Sequence, residues 1–164
     1  MSGPTMRIDR AGREDLAALA QLKWEDVPAD LTAGRSLDAF TAELGDWWRA
    51  HDRTHVAFVA RGDDDDRIVG AAWVALVPRV PRPGAPHRLS ADIQSVFVLP
   101  EHRGRGAGRG LIAAACAHAV SVGAERITVH SSEAAVGLYQ ELGFADSPRL
   151  RQFLAPTTAA PESA

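Results

Sequence analysis

A predicted strand, a glycine-rich turn and a predicted helix follow one another between residues 93 and 122, and no other stretch constrains the fold as strongly. The β-branched run 93–98 predicts a strand that ends before Pro100, and the alanine-rich apolar run 111–122 predicts a helix. The unpaired N–H groups and the dipole at the start of a helix attract anions. The succession therefore predicts an α/β fold that binds a phosphate or pyrophosphate at this turn.

The turn itself has the composition of a phosphate-binding loop. Three glycines let its backbone approach a ligand without interference from a Cβ atom, and three arginines supply positive charge suited to phosphate. The residues that we assign to the ligand here are Arg103, Gly104, Arg105, Gly106, Ala107, Gly108 and Arg109. A structural glycine turn that carries solvated arginines is the alternative, because short motifs also recur by chance.

Two common phosphate-binding motifs do not fit this loop. A nucleoside-triphosphate loop requires a lysine, but the only lysine is Lys23, and a dinucleotide pattern fits only from Gly108, inside the helix. The pattern that does fit is R-x-x-G-x-G from Arg103, preceded by V-x-P. It resembles the acetyl-CoA loop of the GNAT N-acetyltransferase superfamily, whose amides hold the pyrophosphate of coenzyme A. The resemblance also implies that a backbone N–H at Phe97 or Val98 polarises the thioester carbonyl.

A second stretch, 131–144, resembles the other signature of that family, N-x-x-A-x-x-L-Y-x-x-x-G-F. The residues that match it are Ala135, Leu138, Tyr139, Gly143 and Phe144. Ser132 replaces the asparagine and offers one hydroxyl in place of the paired donor and acceptor of an amide. The resemblance implies that Ser132 and Ala135 lie along the cofactor and that Tyr139 donates a proton to the departing thiolate. A tyrosine packed against the core is the alternative for Tyr139.

The order of the predicted elements, β-α-α-β-β-β-α-β-α-β, is the order of the GNAT fold. The resemblance therefore implies a single α/β domain with a mixed central β-sheet flanked by helices. The predicted strands cover residues 5–9, 54–60, 68–77, 89–98, 125–130 and 149–154, and the predicted helices cover 11–27, 36–50, 111–122 and 132–142. We assign residues 1–154 to this domain and expect residues 155–164, rich in proline, alanine and threonine, to form a disordered tail.

Acetyl transfer to an amine requires a neutral nitrogen, but an alkyl amine with a pKa near ~10 is mostly protonated at neutral pH. GNAT enzymes often carry an acidic base near the start of the strand before the loop, and Asp92 matches that position. Period-2 alternation places Gln94 and the two valines after it on the same face as Asp92, so Gln94 can hold a water there. An ion pair between Asp92 and Arg88 is the alternative.

Three of the four tryptophans lie in the predicted helices 11–27 and 36–50, which in GNAT enzymes line the acceptor cleft. Aromatic faces and carboxylates both suit a cationic amine. The residues that we assign to the acceptor are Trp24, Glu25, Asp26 and Trp47. The alternative is that the tryptophans belong to the core. At least one of Trp47 and Trp48 is expected there, because adjacent helical residues face different ways.

The composition argues against several classes of protein. The formal net charge of −3 leaves no basic stripe for nucleic acid, and no apolar run approaches the length that spans a membrane. The single cysteine excludes an internal disulfide and fits a reducing compartment, and the histidines lack the spacing of metal ligands. We therefore expect a cytoplasmic protein without a metal, and the resemblance to GNAT enzymes implies acetyl-CoA as its cofactor.

The function predicted from these features is acetyl-CoA-dependent N-acetylation of a primary amine on a small molecule or peptide. Asp92 acts as the general base in this scheme, with Gln94 beside it, and Tyr139 acts as the general acid. Two alternatives stay open at this point: a non-catalytic GNAT-fold module that senses acyl-CoA, and an unrelated phosphate-binding protein such as a nucleotide binder. Many GNAT relatives dimerise, so the resemblance is also compatible with a homodimer.

Overall fold

A computed structural model describes residues 6–62 and 65–155 of the 164-residue chain. Its strands and α-helices are β1 (Arg7–Arg10), α1 (Leu16–Asp26), α2 (Ala29–Thr32), α3 (Leu37–His51), β2 (His55–Arg61), β3 (Ile68–Arg79), β4 (Arg88–Val98), α4 (Ala107–Ser121), β5 (Ala124–Val129) and α5 (Val136–Glu141). These strands form one sheet in the order β1-β2-β3-β4-β5, antiparallel except for the parallel pair β4 and β5. The predicted single α/β domain with a mixed sheet flanked by helices is confirmed.

Helices cover both faces of the sheet. On one face Trp48 of α3 packs its ring against Trp73 of β3, with the ring centroids 5.1 Å apart. On the other face a Cβ added at Gly70 of β3 would lie 3.3 Å from Leu111 of α4, so this helix packs directly on the strand backbone. Since side chains alternate along a strand, positions 70 and 73 point in opposite directions. Strands β2 and β3 are consequently buried along most of their length.

The helix after the glycine loop begins at Ala107, about one turn before the predicted run 111–122. Gly106 precedes it in the left-handed region, with φ 86°, a conformation that a residue without a Cβ adopts at little cost. The Gly110 N–H donates to the Gly106 carbonyl at 3.0 Å and closes the first turn. Gly110 also has no room for a side chain, because a Cβ there would lie 2.9 Å from Ile8. The second half of the loop is therefore the first turn of α4.

A β-bulge in β4 makes the predicted alternation along this strand wrong. Ser95 pairs with Trp73 of β3, but Ile93 already pairs with the next residue of β3, so Gln94 is an extra residue without a partner across the pair. Because of this extra residue, the residues of β4 after the bulge point to the opposite face from the one that strict alternation predicts. Asp92 therefore shares its face with Ser95, and Gln94 lies on that same side as predicted, whereas the two valines that follow point to the other face.

The remaining differences from the predicted elements lie at their ends. Each of the predicted helices 11–27 and 132–142 splits into a short 3-10 turn followed by an α-helix, α1 and α5. The helix predicted from residue 36 is confirmed, and the Ser36 side chain accepts a hydrogen bond from the Ala39 N–H at its start. No helix among the described residues is long and apolar enough to cross a membrane.

The strand predicted over residues 149–154 does not form. Leu150 and Leu154, which would share one face of such a strand, are 62% and 75% exposed, so no neighbouring surface buries the apolar side that a strand would need. Residues 1–5, 63–64 and 156–164 lie outside the described residues. The predicted tail, apart from its first residue, and part of the aspartate run between β2 and β3 therefore fall outside them.

Candidate functional site

A cavity of about 800 Å³, here called the loop cavity, lies at the carboxyl end of β4. The residues that line it are Glu25, Asp26, Val96, Phe97, Val98, His102, Arg103, Gly104, Gly106, Ala107, Gly108, Arg109, Ser132, Ala134, Ala135 and Leu138. Every residue assigned to the cofactor from sequence is among them except Arg105. The two sequence signatures, far apart along the chain, therefore border one space.

The loop cavity opens where β4 and β5 separate. Their parallel pairing ends at Ile93 and Val129, whereas β4 stays paired with β3 as far as Val98. Within the described part of the chain, the last residues of β4 thus have no partner strand on the β5 side. Backbone N–H and C=O groups on that edge remain available to a ligand that enters the wedge between the two strands.

Arg103 ties the loop to the end of β4. Its Nε donates a hydrogen bond of 2.9 Å to the Val98 carbonyl, and its guanidinium lies 5.6 Å from the centroid of the Phe97 ring. These two contacts fix the path of the chain from the strand into the glycine turn. The family motif identified Arg103 as a ligand residue, and the structure adds this positioning role.

The start of α4 gives the loop cavity its electrostatic character. Gly106, Ala107 and Gly108 line the cavity, so the positive end of the helix dipole borders it. Arg109 in the same turn adds a guanidinium, which forms an ion pair with Glu141 of α5. The backbone N–H groups of a first helical turn have no partner within the helix. This wall of the cavity therefore suits a phosphate group.

A smaller cavity of about 410 Å³, here called the aromatic hollow, lies between α1, α3, β3 and β4. The residues that line it are Lys23, Phe40, Glu43, Leu44, Trp47, Trp73, Gln94 and Ser95. The Trp47 and Trp73 rings meet edge to face with their centroids 5.9 Å apart. Most of these residues had no local signal in the sequence, since Trp73 reads as an ordinary strand residue and Lys23 as a helix-surface charge.

The two cavities adjoin. Ser95 lines the aromatic hollow and the next residue of β4, Val96, lines the loop cavity. Lys23 lines the hollow as well, and its Nζ donates to Ser95 Oγ and to a carboxylate oxygen of Asp26, both at 3.2 Å. Asp26 in turn lines the loop cavity. A group held at the end of one cavity therefore lies within reach of a group held in the other.

The structure divides the residues assigned to the acceptor. Trp47 lines the aromatic hollow and is 38% exposed, whereas its neighbour Trp48 is only 6% exposed and belongs to the core, as expected for one of the pair. Glu25 and Asp26 line the loop cavity instead. Trp24 borders neither cavity and packs near the Phe40 ring at 6.0 Å. The structure does not bring these four side chains into one cavity, because successive residues of α1 face different ways.

Asp92 lines neither of the two cavities. Its Oδ1 accepts a hydrogen bond of 3.2 Å from the hydroxyl of Thr128, its register partner on β5. The alternative ion pair with Arg88 does not form, because that guanidinium binds Glu125 at 3.2 Å. The hydroxyl of Thr128 therefore orients the Asp92 carboxylate.

Tyr139 is buried, with 7% of its surface exposed, and its ring meets the Phe144 ring edge to face at 5.2 Å. Burial raises the pKa of the Tyr139 hydroxyl above its ordinary value, and the nearby Cys116 thiol adds to the effect. The hydroxyl therefore keeps its proton at neutral pH. Tyr139 borders a separate hollow that it shares with Thr128, while the preceding residue Leu138 borders the loop cavity.

Two histidines that the sequence gave no reason to single out lie against the outer side of Trp47. The His51 and His55 rings each lie 4.8 Å from the Trp47 ring. Burial lowers the pKa of His55, repulsion from His51 lowers it further, and a hydrogen bond with Gln94 partly opposes both. Among the described residues no cluster of histidine, cysteine and acidic side chains has the arrangement of a metal site.

Comparison with known proteins finds a family match that covers most of the chain. Residues 16–144 match the model of a family described as the acetyltransferase (GNAT) family. The matched range runs from the start of α1 to Phe144 and contains both sequence signatures. It covers well over half of the chain.

Two curated relatives are acetyltransferases by name. A glucosamine 6-phosphate N-acetyltransferase of Trypanosoma brucei brucei is 37% identical over 78 residues, which cover 48% of this chain and 51% of that protein. A mycothiol acetyltransferase of Paenarthrobacter aurescens is 29% identical over 152 residues, which cover 85% of this chain and 46% of that protein. The chain thus spans about half the length of these curated relatives.

Solved structures share the fold along nearly the whole chain. An acetyltransferase of Trypanosoma brucei superimposes with a TM-score of 0.72 at 26% identity, covering 92% of this chain and 100% of that one. An acetyltransferase of Clostridium acetobutylicum, solved with acetyl-CoA, superimposes with a TM-score of 0.70 at 18% identity, covering 92% and 96% respectively. The arrangement of helices around the sheet is therefore that of known acetyltransferases.

Proposed function

The chain belongs to the acetyltransferase (GNAT) family, and on this basis we propose that it transfers an acetyl group from acetyl-CoA to a primary amine. The observation that carries the proposal is the loop cavity, around which both family signatures meet at the start of α4. A helix start and a glycine turn favour an anionic ligand. The adjoining aromatic hollow offers a second space for the amine.

Acetyl-CoA would supply the acetyl group already activated as a thioester. The residues that would hold its pyrophosphate are those of the turn and first helical turn, Gly104, Gly106, Ala107, Gly108 and Arg109, with Ser132 and Ala135 along the pantetheine arm. In the same scheme the Phe97 or Val98 N–H donates to the thioester carbonyl and stabilises the negative charge that develops on its oxygen. The unpaired β5 side of β4 beyond Ile93 supports this assignment, since it leaves backbone donors for a ligand.

We assign the proton of the reacting amine to Asp92, acting directly or through water. Two observations support this assignment. Asp92 shares a sheet face with Ser95, which lines the aromatic hollow, and the Thr128 hydroxyl orients the carboxylate. Gln94 lines the hollow and has an amide that can hold a bridging water. Replacement of Asp92 with asparagine should shift the acidic limb of the pH–rate profile, and an unchanged profile would remove Asp92 as the base.

Tyr139 is assigned the role of proton donor to the departing sulfur. The hydroxyl, whose pKa is raised by burial, is protonated at neutral pH and can donate a hydrogen bond to a thiolate. We expect Tyr139→Phe, which keeps the ring and its contact with Phe144, to lower kcat about 100-fold while acetyl-CoA affinity stays the same. Calorimetric titration and a thiol-release assay measure the two quantities. An equal loss of both would assign the hydroxyl to ligand binding and not to proton transfer.

The first test is thermal unfolding of the full chain with acetyl-CoA, beside ATP and NAD as controls. A ligand at ~100 times its dissociation constant stabilises the folded state by about 2.7 kcal/mol, a shift of a few degrees. Stabilisation by acetyl-CoA alone supports the assignment of the loop cavity. Stabilisation by a nucleotide and not by acetyl-CoA would contradict it.

One observation favours a second candidate, a module that binds acyl-CoA without turning it over. Tyr139 borders a hollow separate from the loop cavity, and Asp92 lines neither the loop cavity nor the aromatic hollow. A sensor of this kind would need neither residue at the ligand. It is distinguished by tight binding of acetyl-CoA together with no thiol release from a broad panel of amines.

A further inference from the structure

The aromatic hollow has a chemistry that selects among amines. We propose that it is the acceptor site and takes a primary amine carried on an apolar body the size of one ring, in preference to a phosphorylated amino sugar. The proposal rests on the acetyl transfer proposed above and names the acceptor class for that same reaction.

The position of the hollow suits an acceptor. Ser95 of β4 lines it, and the next residue, Val96, lines the loop cavity where the thioester end of the donor would lie. The bulge at Gln94 turns that residue out of the regular alternation and into the lining. An amine nitrogen at the Ser95 end of the hollow therefore has a short path to an acetyl group in the neighbouring cavity.

The walls of the hollow are mainly apolar. Phe40 and Leu44 of α3 contribute to them beside the tryptophans Trp47 and Trp73, whose rings lie edge to face at 5.9 Å. The volume of about 410 Å³ lies at the small end of the range typical of ligand pockets, about 300–1,000 Å³. Apolar walls stabilise a bound ring by removing its surface from water. A small hydrocarbon or aromatic body fits the apolar walls better than a sugar, whose hydroxyls would exchange water for the side chains of Phe40, Leu44 and the two tryptophans there.

The charges of the hollow favour a cation over an anion. Glu43 is the single acidic residue among those that line it, and aromatic faces also attract an ammonium group. Lys23 is the single basic residue of the lining, and its ammonium group already donates to Asp26 and Ser95. A phosphate in the hollow would therefore face the Glu43 carboxylate and compete with Asp26 for Lys23. A phosphate monoester carries about two negative charges at neutral pH, so this penalty is large.

The proposal sets this chain apart from one of the relatives that it matches. That relative is named for glucosamine 6-phosphate, a phosphorylated amino sugar. We expect kcat/KM for 2-phenylethylamine to exceed that for glucosamine 6-phosphate by at least about tenfold, one factor of 10 per 1.4 kcal/mol of discrimination. Thiol release by the full chain at saturating acetyl-CoA measures both. Equal values, or a higher value for the sugar phosphate, would overturn the proposal.

Matched variants test which side chains discriminate. We expect Glu43→Gln to lower kcat/KM for 2-phenylethylamine about tenfold, because it removes the charge that faces the ammonium group. The control is Asp46→Asn on the same helix, since Asp46 is paired with Arg49 at 2.8 Å and does not line the hollow. Equal effects of Glu43→Gln and Asp46→Asn would overturn the charge argument.

Two binding measurements separate failure of this proposal from failure of the proposed function. Calorimetric titration of acetyl-CoA into the same proteins tests the donor site, and titration of 2-phenylethylamine and glucosamine 6-phosphate tests the hollow without turnover. Binding of 2-phenylethylamine without thiol release would support the chemistry of the hollow and contradict acetyl transfer. Binding of acetyl-CoA with neither binding nor turnover of 2-phenylethylamine would overturn the acceptor class and leave the donor site intact.

Discussion

The loop cavity and the aromatic hollow lie side by side, but the chain builds them in different ways. The wall of the loop cavity that suits a phosphate comes from one continuous segment, residues 103–109, and largely from its backbone groups. The walls of the hollow are side chains from four elements, α1, α3, β3 and β4. The comparison shows why the first cavity can be predicted from the sequence and the second cannot. A backbone site requires particular residues at particular spacings, whereas a side-chain site requires only that distant residues meet.

The largest effect is expected when the two neighbouring tryptophans of α3 are replaced in turn and the free energies of unfolding are compared. One of them, Trp48, lies in the core, and the other, Trp47, lines the hollow. Trp48→Ala should lower the free energy of unfolding by about 3–5 kcal/mol, because it removes a buried ring that packs on Trp73 at 5.1 Å. Trp47→Ala should cost about 1 kcal/mol or less, since that side chain is part of a cavity wall. Urea unfolding of both variants measures the effect. Similar losses in the two would contradict the assignment of Trp47 to the hollow.

The same pair shows how far the sequence could be interpreted. Helical geometry alone required Trp47 and Trp48 to face different ways, and it predicted that at least one is buried. It could not say which one, because that depends on the angle at which α3 meets the sheet. Trp73, Lys23 and Ser95 were missed for the same reason, since each looks ordinary until α1 and α3 are packed over β3 and β4.

The next largest effect concerns the glycine that starts α4. Gly106→Val should weaken acetyl-CoA binding by about 100-fold, or about 2.7 kcal/mol, because a branched side chain would occupy the space beside the helix start. Gly84→Val is the matched control, since both glycines have positive φ, 86° and 79°, and neither would bring a Cβ within 4 Å of another atom. Backbone strain should therefore be similar in the two variants. Calorimetric titration of acetyl-CoA gives the affinities.

Only the position of these two glycines differs, so the pair isolates the loop cavity. Gly106 lines it, whereas Gly84 lies in the connection between β3 and β4. Equal affinities in Gly106→Val and Gly84→Val would mean that the loop holds no phosphate. A loss of folded protein in Gly106→Val alone would show that the left-handed start of α4 matters more to folding than strain by itself predicts.

The bulge in β4 marks the limit of pattern-based prediction inside a single strand. The family signature located the loop and the second motif correctly, because glycine and helix-start requirements are local. The prediction that Val96 and Val98 share the face of Asp92 is wrong, because strict alternation along 89–98 takes no account of an extra residue. A bulge is set by the pairing of β4 with β3, and the sequence of β4 alone carries no clear sign of it. The residue displaced by the bulge, Gln94, lines the hollow that the sequence missed.

A smaller effect with the opposite sign is expected from Glu141. Its carboxylate forms an ion pair with Arg109, a residue that lines the loop cavity, and so competes with a bound phosphate for the guanidinium. Glu141→Gln should therefore tighten acetyl-CoA binding about twofold to threefold, because exposed pairs contribute only about 0.2–1 kcal/mol. The gain should shrink as salt is added. Glu125→Gln, whose carboxylate binds Arg88 instead, is the control, and weaker binding in Glu141→Gln would show that Glu141 positions Arg109 for the ligand.

The smallest expected effect is the pH dependence of stability near the hollow. The pKa of His55 is lowered, first by burial and then by repulsion from His51, so the folded state binds fewer protons there than the unfolded state. Neutral His55 therefore contributes its full stabilisation of the folded state at pH values above the ordinary histidine pKa of about 6.5. This contribution to the free energy of unfolding is lost as the pH falls below that value. The pKa of His118 is lowered as well, by burial and then by Arg10, and acts in the same direction. Carboxylates with lowered pKa, such as Glu125, lose their contribution only at more acidic pH.

The histidine contribution can be isolated by comparing Tm at pH 7.5 and pH 5.0. His55→Gln should show a smaller decrease in Tm between the two pH values than the unmodified chain. Glutamine does not titrate in this range, so no charge develops beside His51 at the lower pH. His87→Gln, at an exposed position in the connection between β3 and β4, should show the unmodified drop. If the hollow depends on the packing of His55 against Trp47, 2-phenylethylamine binding should weaken over the same pH range in the unmodified chain. Acetyl-CoA binding should not follow it, since neither His51 nor His55 lines the loop cavity. A parallel loss of both would mean that the two cavities respond as one unit.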